Sequence, residues 1–256
     1  MRKIVFFDID GTLLDHDKKI PTDTIKAIQE LKKNGHFVAI ATGRAPFMFS
    51  DIREELLISS YISFNGQYVV VDNEPIVKNS LSKATLKKLH EHAKKSGHPL
   101  VFMNHETMKA SEGNHPNIHE SLGTLNFAHP EADPLFYNHH DIYQTLLFCG
   151  KGEEDEYVNR YEDFHFIRWH EVSTDVLPSG GSKAKGIHHF INELGFKRDD
   201  VVAFGDGLND VEMLRFAGSG VAMGNATPEA KEAANYVTKA VDDGGIVHGL
   251  ERLNLI

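Results

Sequence analysis

The sequence predicts an α/β fold: a doubly wound, Rossmann-like parallel-sheet core domain with an inserted α+β cap domain. Three observations carry this. Short apolar runs alternate with amphipathic helical segments up to Gly66 and again from Ser182 onward, and β-α-β-α-β order of that kind implies a parallel sheet. Between them, roughly Leu81 to Gly181, the alternation is lost. The chain, at 256 residues, can bury one large core or two smaller ones. The expected boundaries are 1–81 and 182–256 for the core and 82–181 for the insert.

Each element follows from its residues. In "KIVFFDIDGTLLD" four apolar residues, Ile4 to Phe7, run straight into Asp8 and Asp10. Side chains two apart on a strand face one side, so the two carboxylates project together where the strand ends. "PTDTIKAIQELKKNG" sets Ile25, Ile28 and Leu31 at helical spacing, with Gly35 as the stop. "FVAIA" (Phe37 to Ala41) reads as a buried strand delivering Thr42-Gly43-Arg44, a second helix follows Pro46, and "YISF" precedes an Asn65-Gly66 turn. The middle holds a helical "SKATLKKLHEHAKKSG", strand-like "PLVFM", "YQTLLF" and "FHFIRW", a short acidic "GEEDE" read as a solvated turn or helix start, and a polar stretch from Asn104 to His140. Beyond it, "SKAKGIHHFINELG" aligns Ile187, Phe190, Ile191 and Leu194 on one helical face. "VVAF" (Val201 to Phe204) then runs into Gly205-Asp206-Gly207-Leu208-Asn209-Asp210, and "GVAM" and "YVT" read as further strands.

Composition removes several function classes. With 41% hydrophobic and 25% charged residues the chain is ordinary globular material. A net charge of −10 and the lack of a basic run argue against nucleic acid as a partner. Cys149 is the single cysteine, so no intrachain disulfide forms, as in a reducing compartment. No apolar run reaches the length of a membrane span or of a signal-peptide core. The expectation is a cytoplasmic protein without a membrane or nucleic-acid partner; nothing in the sequence sets its oligomeric state.

In an open parallel sheet, ligands sit beyond the carboxyl ends of the strands. Four such ends here carry Asp8 and Asp10, Thr42-Gly43-Arg44, Asn65-Gly66, and Gly205 to Asp210. Any one of these acids alone reads as a turn former or helix cap; their joint occurrence points to a site. A calcium loop counted from Asp8 fails, because Leu13 stands where glycine is required, and "GSGVAMG" lies where a strand belongs. Clustered acids in low dielectric need a cation, and oxygen ligands beside a phosphate favour Mg2+. Lys183 and Arg44 suit an anionic substrate. General acid–base catalysis contributes about 10² to 10⁴-fold, whereas phosphate-monoester hydrolysis can demand up to roughly 10²¹. A covalent Asp intermediate with a metal ion and a lysine supplies the rest.

"DIDGT" (Asp8 to Thr12), "TGR" (Thr42 to Arg44), the lysine of "GGSKAKGI" and "GDGLND" (Gly205 to Asp210) resemble, in order and spacing, the four motifs of the haloacid dehalogenase-like hydrolase superfamily. "FNG", "VAMGNA" and "DDGGI" resemble its Cof-like sugar-phosphatase branch. The resemblance implies a Mg2+-dependent phosphatase of small phosphorylated metabolites, with a cap that closes over the site. It makes Asp8 the nucleophile and a metal ligand. Asp10 becomes the general acid and then the base, and lends its backbone carbonyl to the metal. Thr42, the Gly43 amide, Lys183 and Asn209 hold the phosphoryl group, Lys183 also restraining Asp8; Arg44 and Asn65 join the substrate-binding set. Asp206 ligates Mg2+ directly and Asp210 supports it. Gln67 departs from the branch's usual alanine, and Lys185 is the second candidate for the motif lysine.

Weaker signals remain. His115 and His119 have metal-ligand spacing, but Pro116 intervenes at a helix start; Lys109, Asn114 and His115 are the cap residues expected to face substrate. A phosphotransferase or phosphomutase with the same aspartyl-phosphate is the alternative. A response-regulator-like receiver ranks last, since Asn65 stands where its accepting Asp would follow the third strand.

Overall fold

The computed structural model describes residues 2–256. In chain order the strands are β1 (Ile4–Phe7), β2 (Phe37–Ala41), β3 (Tyr61–Ser63), β4 (Tyr68–Val71), β5 (Glu74–Lys78), β6 (Leu100–Met103), β7 (Met108–Ala110), β8 (Gln144–Leu147), β9 (Phe164–His170), β10 (Ser173–Pro178), β11 (Val201–Gly205), β12 (Ser219–Ala222) and β13 (Tyr236–Val237). The helices are α1 (Thr22–Lys33), α2 (Ser50–Glu55), α3 (Lys83–Ser96), α4 (Pro116–Gly123), α5 (Phe136–His139), α6 (Asp155–Val158), α7 (Lys183–Leu194), α8 (Val211–Phe216), α9 (Pro228–Ala233) and α10 (Gly245–Arg252). Two compact units result. One takes the chain up to Arg44, Met48–Val77 and Ser182–Ile256; the other takes Ala45–Phe47 and Lys78–Gly181.

The first unit is built on one sheet of order β13-β12-β11-β1-β2-β3-β4-β5. From β13 through β3 all neighbours are parallel. β1 lies between β11 and β2, which is why Ile4 to Phe7 are wholly buried and why a continuous apolar run was needed there. Helix α1 buries Ala27, Ile28 and Leu31 and stops before Gly35, whose φ of 84° only glycine adopts without strain. Helix α7 starts on Ser182, whose side chain accepts from the Lys185 N–H, and ends on left-handed Gly195. The sheet is not parallel throughout, as the sequence analysis expected: β4 runs antiparallel to β3 and β5 follows it. Asp72 and Asn73, at φ 47° and 67°, form the two-residue left-handed turn that a hairpin requires.

The second unit is a five-stranded sheet of order β7-β6-β8-β10-β9, antiparallel at every pairing. Leu100, Phe102, Leu147 and Val176 of that sheet share a core with Leu86, Leu89 and Ala93 of α3 and with Phe136 and Tyr157. β7 and β10 are absent from the sequence reading; "STDVLP" hides a strand because Ser173, Thr174 and Asp175 are polar. Not all of "GEEDE" is solvated: Glu154 takes a two-point ion pair from Arg168, both contacts 2.6 Å, and that bond holds its carboxyl down at about 2. The cap residues expected to face substrate have partners inside this unit. Lys109 Nζ lies 2.6 Å from Glu131, Asn114 Oδ1 is 3.1 Å from His119 Nε2, and the His115 ring caps α4 by accepting from the Asn117 N–H. Cys149 is a buried free thiol, pushed up to about 11 by that burial. Among the described residues, no helix is long and apolar enough to cross a membrane.

Asp175 on β10 is pushed up to about 7 by burial, which Gln144 and Trp169 beside it only partly offset. A carboxyl raised on folding favours the native state while protonated, so its contribution is present below about pH 4 and is lost as pH rises toward 7. Asp175→Asn is therefore expected to raise the melting temperature at pH 8 and to leave it near wild type at pH 4. Thermal scans across that range check this; a constant difference would contradict it.

Candidate active site

Four strand ends of the first unit meet at one edge of its sheet. β1 delivers Asp8, anchored by its own N–H to the Phe204 carbonyl at 3.0 Å. β2 delivers Thr42, whose N–H bonds the Ile62 carbonyl (2.9 Å) and whose carbonyl takes the Asn65 N–H (3.1 Å). β3 ends in three consecutive left-handed residues, Phe64, Asn65 and Gly66, at φ 49°, 52° and 95°. Such a run turns the chain abruptly at a conformational cost. It brings the Gly66 α-carbon against the Ser182 carbonyl, where no side chain fits. β11 delivers Asp206 and the short turn to Asp210.

Lys183 sits at the centre, fully buried at the first turn of α7, with Nζ 2.6 Å from both Asp8 Oδ1 and Asp210 Oδ1. Lys185 is exposed. The second oxygen of Asp210 accepts from the Asp206 and Gly207 N–H groups at 2.9 and 2.8 Å, so this carboxylate shapes the loop as well as binding the lysine. Asp206 is steered by Thr12 Oγ1 (3.0 Å to Oδ1), and Asn225 Nδ2, 2.8 Å from the Gly11 carbonyl, lies 3.5 Å from its Oδ2. Asn209 Nδ2 donates to Asn65 Oδ1 at 3.1 Å, and Gly43 packs against the Asn65 amide with little space for a Cβ.

Asp10 lies apart from this cluster. Arg44 grips it with two parallel bonds, Nε to Oδ2 (2.8 Å) and Nη2 to Oδ1 (2.7 Å), and Lys18 Nζ adds a third at 2.8 Å on Oδ1. Arg44, expected in the substrate-binding set, directs its guanidinium onto the Asp10 carboxylate.

Charge balance decides what the cluster can hold. Carboxylate oxygens of Asp8, Asp206 and Asp210 come within 4.8 Å of one another, and one ammonium faces them. Burial and the neighbouring Asp210 push the Asp8 carboxyl well above the usual carboxylate range, against the pull of Lys183, and the same two causes push Asp206 up to about 6. Burial alone would depress Lys183, but Asp210 and Asp8 outweigh it and hold the ammonium above its ordinary range. Burial likewise opposes ionisation of Asp10, yet Arg44 and Lys18 keep it below the ordinary range. The excess negative charge and the all-oxygen donor set fit a hard divalent cation. Thr12, Lys18 and Asn225 were not picked out from the sequence. "DIDGT", which ends on Thr12, and "VAMGNA", which contains Asn225, were the available signals for two of them.

Known proteins place this arrangement. A family model described as haloacid dehalogenase-like hydrolase matches residues 5–250. The chain is 51% identical over 254 residues to "Putative phosphatase YkrA" of Bacillus subtilis (strain 168), covering 99% of this chain and 98% of that one. Among solved structures, a hypothetical protein from Geobacillus kaustophilus HTA426 matches with a TM-score of 0.97 at 58% identity, both chains fully covered. The HAD subclass IIB sugar phosphatase BT4131 matches with a TM-score of 0.86 at 32% identity over 99% of this chain and 100% of that one. Phosphatases of this superfamily generally use Mg2+. The chain belongs to the haloacid dehalogenase-like hydrolases, in their Cof-like branch, and is an enzyme of the phosphatase kind.

Proposed function

We propose that the protein hydrolyses small phosphorylated metabolites, sugar phosphates foremost, with Mg2+ and through an aspartyl-phosphate on Asp8. The observation that carries this reading is the buried Lys183 bridging Asp8 and Asp210 beside Asp206. Lys183 occupies Asp8 Oδ1 and leaves Oδ2 to attack phosphorus. The bond from phosphorus to the alcohol oxygen breaks, and Asp10, two residues on, gives that oxygen its proton once it has left the Arg44 and Lys18 cations that hold it ionised here. Asp10 then takes a proton from water, the hydroxide displaces Asp8 from phosphorus, and inorganic phosphate leaves with the Asp8 carboxylate restored.

Thr42, the Gly43 amide, Lys183 and Asn209 hold the phosphoryl oxygens in this scheme, with Asn65 fixing Asn209. Asp8 and Asp206 would hold Mg2+ directly, joined by the Asp10 backbone carbonyl, and Asp210 would support it from behind. When bound, the ion neutralises charge on the phosphoryl group. A fold resemblance to a sugar phosphatase supports the substrate class.

The test is phosphate release from a panel of sugar phosphates, nucleotides and p-nitrophenyl phosphate, with Mg2+ and with chelator. Metal-dependent release that is fastest on sugar phosphates is the expected result. Conversion of a sugar phosphate to an isomer without free phosphate would replace this reading with that of a mutase.

A further inference from the structure

Two motifs singled out in the sequence, "VAMGNA" and "DDGGI", take no part in the reaction scheme, and Asn225 joins them. Its side-chain amide spans three segments. Oδ1 accepts from the N–H of Val241, the residue before "DDGGI", at 3.0 Å; Nδ2 donates to the Gly11 carbonyl at 2.8 Å and lies 3.5 Å from Asp206 Oδ2. The two shorter contacts settle which way the amide points. Only its oxygen can accept from Val241 and only its NH2 can donate to a carbonyl, so a donor faces the Asp206 carboxylate.

The loop that carries Asn225 is pinned independently of that side chain. The Gly224 N–H bonds the Lys239 carbonyl (2.8 Å), the Gly224 α-carbon packs against the Ala240 backbone, and the Thr227 N–H bonds the Asp206 carbonyl (2.9 Å). Asn225 itself is exposed, and bonds whose partners water can replace add little to folding. Their geometry matters more at Asp206. Thr12 Oγ1 holds Oδ1 at 3.0 Å, and one donor on one oxygen leaves the carboxylate plane free to turn. A second donor beside Oδ2 removes that freedom, as does Gly11, packed so closely against the carboxylate that no side chain fits between them.

We propose that Asn225 is a positioning residue for the metal centre: by holding the Gly11 carbonyl and standing beside Oδ2, its Nδ2 sets the orientation in which Asp206 offers an oxygen to a divalent cation. This rests on the Mg2+ reading given above. Groups that orient a metal-ligating side chain are typically worth about 10–100-fold in metal affinity. A tie that only joined loops would change stability by the same amount with and without the ion.

The experiment records melting temperatures of the wild type, Asn225→Ala and Val241→Pro from chelator upward through a Mg2+ titration. An ion that binds the folded chain raises the melting temperature once its concentration passes Kd, so the onset of the rise reads affinity without turnover. Asn225→Ala is expected to melt near the wild type in chelator and to begin its rise at about tenfold higher Mg2+. The Mg2+ concentration that half-saturates phosphate release moves by the same factor. Val241→Pro deletes the N–H that Asn225 Oδ1 accepts, after an extended Ala240 (ψ 161°) that suits a residue preceding proline, and leaves the Nδ2 contacts intact. It is expected to lower the melting temperature equally at every Mg2+ concentration, with the onset of the wild type. An Asn225→Ala curve displaced in parallel, its onset unchanged, would overturn the proposal; so would an onset that moves as far in Val241→Pro as in Asn225→Ala. A wild type that does not respond to Mg2+ at all would sink the metal reading itself, and the role of Asn225 with it.

Discussion

Asp8→Asn is expected to lower phosphate release by at least ~10³-fold, and to leave the metal-free protein as heat-stable as the wild type or more so. The first effect follows from chemistry: an amide cannot form the phosphoryl bond that the carboxylate forms. The second follows from electrostatics. Asp8, Asp206 and Asp210 crowd one small volume with Lys183 alone to offset them, so removing one negative charge relieves repulsion while Asp210 still holds the lysine. Parallel phosphate assays and thermal scans in chelator check both. Robust turnover by the variant would sink the nucleophile assignment, and a large fall in melting temperature would mean that the crowding is not the dominant energy.

Lys183→Met is the second large effect, and it acts in the opposite sense on stability. Methionine fills most of the volume but leaves the Asp8 and Asp210 carboxylates facing one another without their buried partner. Breaking a buried pair by removing one partner costs about 3–5 kcal/mol, on the order of 10 °C for a chain of this size. A divalent ion binding only the folded state returns part of that by mass action. The expected pattern is a deep fall in melting temperature in chelator, partial recovery on titrating Mg2+, and turnover lower by ~10²-fold or more, since one charged hydrogen bond to the transferring group is gone. A variant equally stable with and without Mg2+ would show that the acid cluster does not take up the ion.

Much of this was legible because the chemistry sits where strands end. Apolar runs of four or five residues that stop at Asp8, Thr42 and Gly205 announce both a parallel sheet and the groups beyond it, but the strand spacing rule does not cover Asp8 and Asp10, because β1 ends at Phe7. Other features depend on where separate segments meet. Nothing in "DHDKKI" shows that Lys18 turns back onto Asp10, since that follows from a loop closed by Asp15. Thr12 reads as a residue of "DGT" until β11 brings Asp206 to it from 194 positions away. Arg44 was read by charge, as a cation for an anionic substrate, whereas its geometry pairs it with an acid. β10 escapes the apolar pattern because Ser173 and Thr174 are polar yet buried, and β4, antiparallel to β3, falls outside the β-α-β alternation.

The placement of β1 between β2 and β11 also orders events during synthesis. β2 follows β1 by about 30 residues, but the other neighbour of β1 is encoded near residue 201, beyond the whole of the second unit. A growing chain thus carries β1 with one edge unpaired until the segment from Val201 has been made, and an apolar strand with a bare edge invites pairing with other chains. The second unit, contiguous from Lys78 to Gly181 apart from Ala45–Phe47, has all its strands at hand much earlier. Closing so long a loop slows the last step far more than it weakens the finished sheet. Ribosome-bound chains truncated shortly before Val201 should therefore expose the segment Ile4–Phe7 to proteases and to self-association, and chains extended past Gly205 should protect it.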